Sequence, residues 1–171
     1  ARMQLDQSQL DAKLVDYIQD AYAMESDVLV MLQSMIRTTT DEDIKAHLDA
    51  HLEETRNHQR LMKQCLKRHG QSPSTRKEAQ TLMAGMAKGA VDVMRGDKAG
   101  KNARDGFITE HMEIAAYELL ERLAKLAGDT ETVEAARTIK AEEIAMAQII
   151  DDNWDRFLEL TLQEAGIAIP Q

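Results

Sequence analysis

Proline occurs only twice in this chain of 171 residues, and glycine only eight times. A sheet-rich fold needs turn residues roughly every 8–12 positions, so this scarcity argues against one. Cysteine is scarcer still. Cys65 stands alone, which rules out a disulfide within the chain and fits a reducing compartment. No apolar run approaches the ~20 residues of a membrane-spanning helix, and residues 1–7 lack a signal-type apolar segment. A cytoplasmic protein with no membrane contact is therefore expected. Bases are few beside acids, 21 against 30, for a net charge of −9. Nucleic-acid binders normally carry a basic patch, so no nucleic-acid partner is expected.

What the chain does have is helical periodicity. Its length suits one domain, taken as residues 1–171. Residues 1–69 contain neither Gly nor Pro, and Thr39 with Glu42 reads as a capping box. Two long helices are expected, about 6–37 and 41–69, the second closed by cations and Gly70. Thr75 and Glu78 form a second capping box before a shorter helix, about 76–95. The polar stretch from Gly96 to Gly106 reads as a loop or frayed entry. Further helices are expected over about 103–127, ending at Gly128, and over 131–164, capped by Asp129 or Thr130. Short loops make antiparallel hairpins of the first two and the last two helices. The expected fold is all-α: a ferritin-like four-helix bundle with a short extra helix in the crossover.

The apolar stripes carry acids where acids are costly. In the first helix a 3-4 spacing selects Leu14, Ile18, Ala21, Glu25, Val28, Leu32 and Met35. In the second it selects Ile44, His47, His51, Glu54, His58, Leu61 and Cys65. In the helix over 103–127, Glu110 and Glu113 fall on adjoining stripes with Tyr117 and Leu120, three residues apart and able to converge. The last long helix places Glu143 among Ala136, Ile139, Met146 and Ile150, with Glu142 on an almost equally apolar stripe. A lone buried carboxylate costs several kcal/mol unless paired, protonated or metal-bound. Glu25, Glu54, one or both of Glu110 and Glu113, and Glu143 bring about four or five negative charges, and two divalent cations would balance four of them. With an imidazole from His58, such a donor set suits iron or manganese, and zinc less selectively. The methionines read as adaptable core filler and Cys65 as inert packing. Participation of His51, Glu142 and Tyr117 stays open at this point.

Four pieces carry a resemblance: Asp20-Ala21-Tyr22-Ala23-Met24-Glu25; His51-Leu52-Glu53-Glu54-Thr55 with Arg60-Leu61; Glu110 to Tyr117; and Glu142-Glu143. Over about residues 10–160 the chain resembles the ferritin-like stress proteins of the YciE/YciF kind, relatives of rubrerythrins and ferritins. The resemblance implies a ferritin-like bundle able to hold a di-iron centre. It matches Glu25 to the first-helix ligand, Glu54 to the second-helix glutamate, the pair Glu110 and Glu113 to the doubled third-helix glutamate, and Glu143 to the fourth-helix glutamate. Ferritins and rubrerythrins place Glu-x-x-His in the second and fourth bundle helices. Here Asn57 stands at the first His position, with His58 one step on, and Met146 stands at the second. Ala147 stands where the YciF kind often has an acid. These departures leave the second metal position carboxylate-rich, weak or empty.

Three functions fit. The first is a stress-response protein in which two iron or manganese ions bind or reduce dioxygen or peroxide, working as a homodimer. The second is a structural or interaction protein with a vestigial site. The third is an iron-storage cage subunit. The sequence has no Gly-rich phosphate loop, Gly-x-Ser-x-Gly elbow or Cys-x-x-Cys for other catalysis.

Overall fold

The structure, a computed structural model, describes residues 6–74 and 98–170. These form five helices: α1 (Gln7–Thr38), α2 (Glu42–Arg68), α3 (Lys98–Ala127), α4 (Thr130–Asp151) and α5 (Trp154–Glu164). The described residues contain no strand. The helix expected over 76–95 lies outside them.

The helix ends follow from their side chains. Asp6, Asp41 and Asp129 cap α1, α2 and α4, accepting from the backbone N–H of Gln9, Ile44 and Thr132. The cap expected at Thr39 is therefore displaced to Asp41. The Thr39 hydroxyl turns back and donates to Met35 O at 2.6 Å, closing α1 instead. Gly70 and Gly128 follow α2 and α3 at φ +68 and +78, left-handed positions that cost glycine least. The loop expected up to residue 102 is helical from Lys98. Glu164 and Thr161 accept from the N–H groups of Lys98 and Gly100, so α5 satisfies the open first turn of α3.

The helix expected over 131–164 is two helices. Asp152 and Asn153 stop α4, and the Asn153 amide donates to Ile149 O at 2.7 Å. The chain restarts at Trp154 and lays α5 against α3. Short polar side chains that bond nearby backbone compete with helix propagation, which is why the apolar spacing continues through a real break.

α1 packs on α2 and α3 on α4, and the two hairpins meet α1 against α3 and α2 against α4. Gln7 donates to Ala127 O and Asn102 to Thr38, so α1 and α3 run antiparallel. Arg68 and His69 at the end of α2 reach Asp129 at the start of α4. Arg156, just beyond α4, reaches Asp41 at the start of α2. α2 thus ends at one end of the bundle and α3 begins at the other. This is the connectivity of a ferritin-like bundle, with its long crossover between hairpins. One end of the core is filled by Leu14, Ile18, Met62, Leu66, Leu120 and Ile139. The other is lined by Met31, Met35, Leu48, Met146, Ile150 and Phe157. The carboxylates lie between them. No described helix is long and apolar enough to cross a membrane.

Candidate metal centre

Each helix of the bundle sends ligating side chains to one buried spot. α1 supplies Glu25, α2 His51 and His58, α3 Glu110 and Glu113, and α4 Glu143; none is more than 2% exposed. Two groups result. His51, Glu110, Glu113 and Glu143 bring four ligand atoms within 4.8 Å of one another, and Glu25, His58 and Glu143 bring three. Glu143 belongs to both. One of its oxygens lies 3.4 Å from His51 Nε2 and the other 2.9 Å from His58 Nδ1. Glu110 lies 2.9 Å from His51 Nε2, and Glu25 lies 3.5 Å from His58 Nδ1.

These contacts are close but leave hydrogen-bonding capacity unused. Among the described residues, the buried side-chain polar atoms without a hydrogen-bond partner are Asn102 Oδ1 and atoms of this cluster alone. Both oxygens of Glu113 and of Glu143 are included. Buried polar groups normally find partners, and ionised ones left alone are the most costly. Protons adjust in compensation. Burial pushes Glu25, Glu110 and Glu113 above the ordinary carboxylate range. Burial works against protonated imidazoles, but Glu110, Glu143 and Glu54 outweigh it at His51 and raise it to about 12. Glu143 and Glu25 likewise raise His58 to about 10. Imidazolium here occupies the electrostatic role that a cation would fill. Four carboxylates, and two imidazoles once a metal displaces their extra protons, fit two divalent ions, and the oxygen-rich set suits iron or manganese over softer metals.

The second nitrogen of each imidazole points outward to a carboxylate at the rim. His58 Nε2 lies 2.7 Å from Glu142, whose side chain is 31% exposed. His51 Nδ1 lies 3.5 Å from Glu54, which is 39% exposed. A carboxylate hydrogen-bonded so fixes the tautomer and orientation of a metal-binding histidine, as Glu142 does for His58, whereas Glu54 meets His51 as a longer charge contact without a hydrogen bond. Inside, the buried Tyr117 hydroxyl donates to Glu25 Oε1 at 2.5 Å.

Of the residues singled out in the sequence, Glu25, His58, Glu110, Glu113 and Glu143 converge. Glu54 lies outside both groups, and His51 stands inside in its place. The cause is a shift of register along α2. The buried stripe runs Leu48, His51, Thr55, His58, Met62, so Thr55 faces inward where Glu54 was expected. His51 and His58 lie on both stripes, which was the signal in the sequence for His51. Asn57, at the first missing histidine position, accepts from Arg60 outside the core. Met146, at the second, is buried in the apolar half.

A protein from Xanthomonas campestris has a similar structure, with a TM-score of 0.77 and 25% identity over 92% of this chain and 99% of that one. The Escherichia coli stress protein YciF matches at 0.74 and 19% identity, over 88% and 97%. A ferritin-like, diiron-carboxylate protein from Bacillus anthracis matches at 0.69 and 16%, over 85% and 97%. A family profile matches residues 9–164, nearly the whole of the bundle. The chain therefore belongs to the family described as a domain of unknown function, DUF892, and shares the ferritin-like fold of these structures.

Proposed function

We propose that the protein is a stress-response metalloprotein whose bundle holds a dinuclear carboxylate–imidazole centre. The observation that carries this reading is the pair of ligand groups sharing Glu143. Glu25, His58 and Glu143 hold one ion; His51, Glu110, Glu113 and Glu143 hold the other. Iron or manganese there would supply the electrons to reduce dioxygen or peroxide, with zinc as a redox-silent substitute. The chain's own residues keep that chemistry away from bulk water. Glu142 orients the His58 imidazole, Glu54 meets His51 as a charge contact, and Tyr117 holds Glu25 through its hydroxyl. The likeness to a stress protein and to a diiron-carboxylate protein supports the reading. So does the charge balance of four buried carboxylates with two divalent cations. The single cysteine, buried and free, suits a cytoplasmic setting.

Elemental analysis of protein purified without chelator tests the centre, with two transition-metal ions per chain expected. Glu143→Ala should lose both. Wild-type protein that binds neither Fe(II) nor Mn(II), and whose melting temperature neither ion changes, would falsify the proposal. That result would favour an interaction protein with a vestigial site.

We also infer a homodimer. Ile108, Leu119 and Leu126 share one face of α3 and are 54, 56 and 62% exposed. Sedimentation should give two chains, and Leu119→Lys should give one. Elution near 12 or 24 subunits would return the storage-cage reading.

A further inference from the structure

Next to the centre, one end of the bundle is hollow. A cavity of about 60 Å³ lies among Met31, Met35, Ala103, Met146 and Phe157, and Glu110 is the one residue of the cluster on its described wall. A single water needs about 10–15 Å³ of such space, so this void takes more than one solvent-sized body. Well-packed cores keep few voids of that size, because empty space destabilises them. The hollow is a product of the fold: the break at Asp152 and Asn153 turns α5 across this end, and Phe157 roofs it.

A second observation is independent of the volume. Asn102 lines the same cavity and is 8% exposed, and its Oδ1 has no hydrogen-bond partner. Its amide nitrogen donates to Thr38, which leaves the carbonyl oxygen as an unused buried acceptor. Asn102 lies about two helical turns from Glu110, roughly 12 Å along α3. The cavity wall therefore offers an unused acceptor at Asn102, apolar side chains of the core, and the Glu110 carboxylate on the side of the centre. An anion is disfavoured by Glu110, Asp41 and Glu164 on the wall, while a cation finds the last two already engaged, Asp41 by the Ile44 N–H and Arg156 and Glu164 by the Lys98 N–H.

We propose that this cavity binds a small uncharged molecule with an apolar body and one hydrogen-bond donor, which Asn102 Oδ1 accepts. The class includes short alkyl alcohols and alkyl hydroperoxides. Its role as the approach to the metal centre, from the Glu110 side, rests on the dinuclear reading above. Its existence as a binding site does not.

Xenon and 1-propanol are suitable probes, used first on metal-free full-length protein. Crystals under xenon pressure should show a xenon peak between Met35, Met146 and Phe157. Titration with 1-propanol should saturably shift the Asn102 side-chain amide resonance. Asn102→Leu should keep xenon but weaken 1-propanol by roughly three- to tenfold, the loss of one hydrogen bond. Ala103→Phe should exclude both probes while its circular dichroism and zinc stoichiometry match the wild type. That result separates the pocket from the centre. If folded wild-type protein binds neither probe, or ordered water fills the cavity, the proposal fails whatever the metal content. If Asn102→Leu leaves 1-propanol affinity unchanged, the assignment of Asn102 as the acceptor fails.

Discussion

Glu113 has two buried oxygens and no hydrogen-bond donor to either. Burial holds it well above the ordinary carboxylate range, so a proton neutralises it when no cation is present. An apolar residue of similar volume would remove that desolvation cost. Glu113→Leu should therefore stabilise the metal-free protein, by about 1–3 kcal/mol, the cost of a buried polar group without partners, while lowering metal content. Urea denaturation with chelator present measures the first effect and elemental analysis the second. Destabilisation of the metal-free variant would mean that Glu113 has a structural partner. Glu54 and Glu142 act at one remove, through the outer nitrogens of His51 and His58. Alanine at either should weaken metal affinity about 10- to 100-fold and leave two sites per chain at saturating metal. Loss of a whole equivalent in Glu54→Ala would instead make Glu54 a ligand, as the spacing of the sequence alone suggested.

Among the helices, the α4 cap combines the most interactions. Asp129 accepts from the Thr132 N–H and hydroxyl, and also meets Arg68 and His69 at the end of α2. Burial works against its charge, yet these contacts hold its carboxyl well below the usual aspartate range. An unfolded aspartate titrates near ~3.9. The contribution of Asp129 is thus fully present above that pH and is lost as pH falls through the lower folded value. Asp129→Ala should cost about 0.5–2 kcal/mol at neutral pH. Below about pH 4 the gap from wild type should narrow. Chemical denaturation across pH 2–7 follows it, and a constant gap would mean that the carboxylate's charge contributes nothing. This cap was legible in the sequence because Asp directly precedes a periodic apolar run. The α2 cap was less so, because Thr39 and Asp41 both precede Glu42 and only the folded turn decides between them. The start of α3 was hidden, since its N–H groups are satisfied from α5, some 60 residues away. The break before α5 was hidden because apolar spacing carries on through Asn153 to Phe157. The same limit misplaced Glu54. Periods of 3 and 4 alternate along a helix, and two stripes that share His51 and His58 diverge at the residues between them.

At the scale of the whole bundle, the centre joins what the hairpin loops do not. Its ligands come from all four long helices, and α2 meets α4 through the His58–Glu143 and His58–Glu142 contacts at mid-length. Without metal, the middle of the bundle holds four buried carboxylates, while the end around Leu14, Ile18 and Ile139 is apolar and packed. Local opening is governed by such differences in packing and unsatisfied polarity. A ligand that binds only the folded state stabilises it by about 2.7 kcal/mol per site at a hundredfold excess over Kd. Zinc, which brings no redox chemistry, should therefore raise amide hydrogen-exchange protection most near residues 22–28, 51–58, 110–117 and 140–147. Residues 10–18 and 62–66, away from the ligands, should gain only the global increment. Exchange mass spectrometry with and without zinc reads both regions in one experiment. A uniform gain along all four helices would mean that the bundle opens as one unit. No gain at the middle segments under saturating zinc would mean that the carboxylates do not hold the ion between the hairpins.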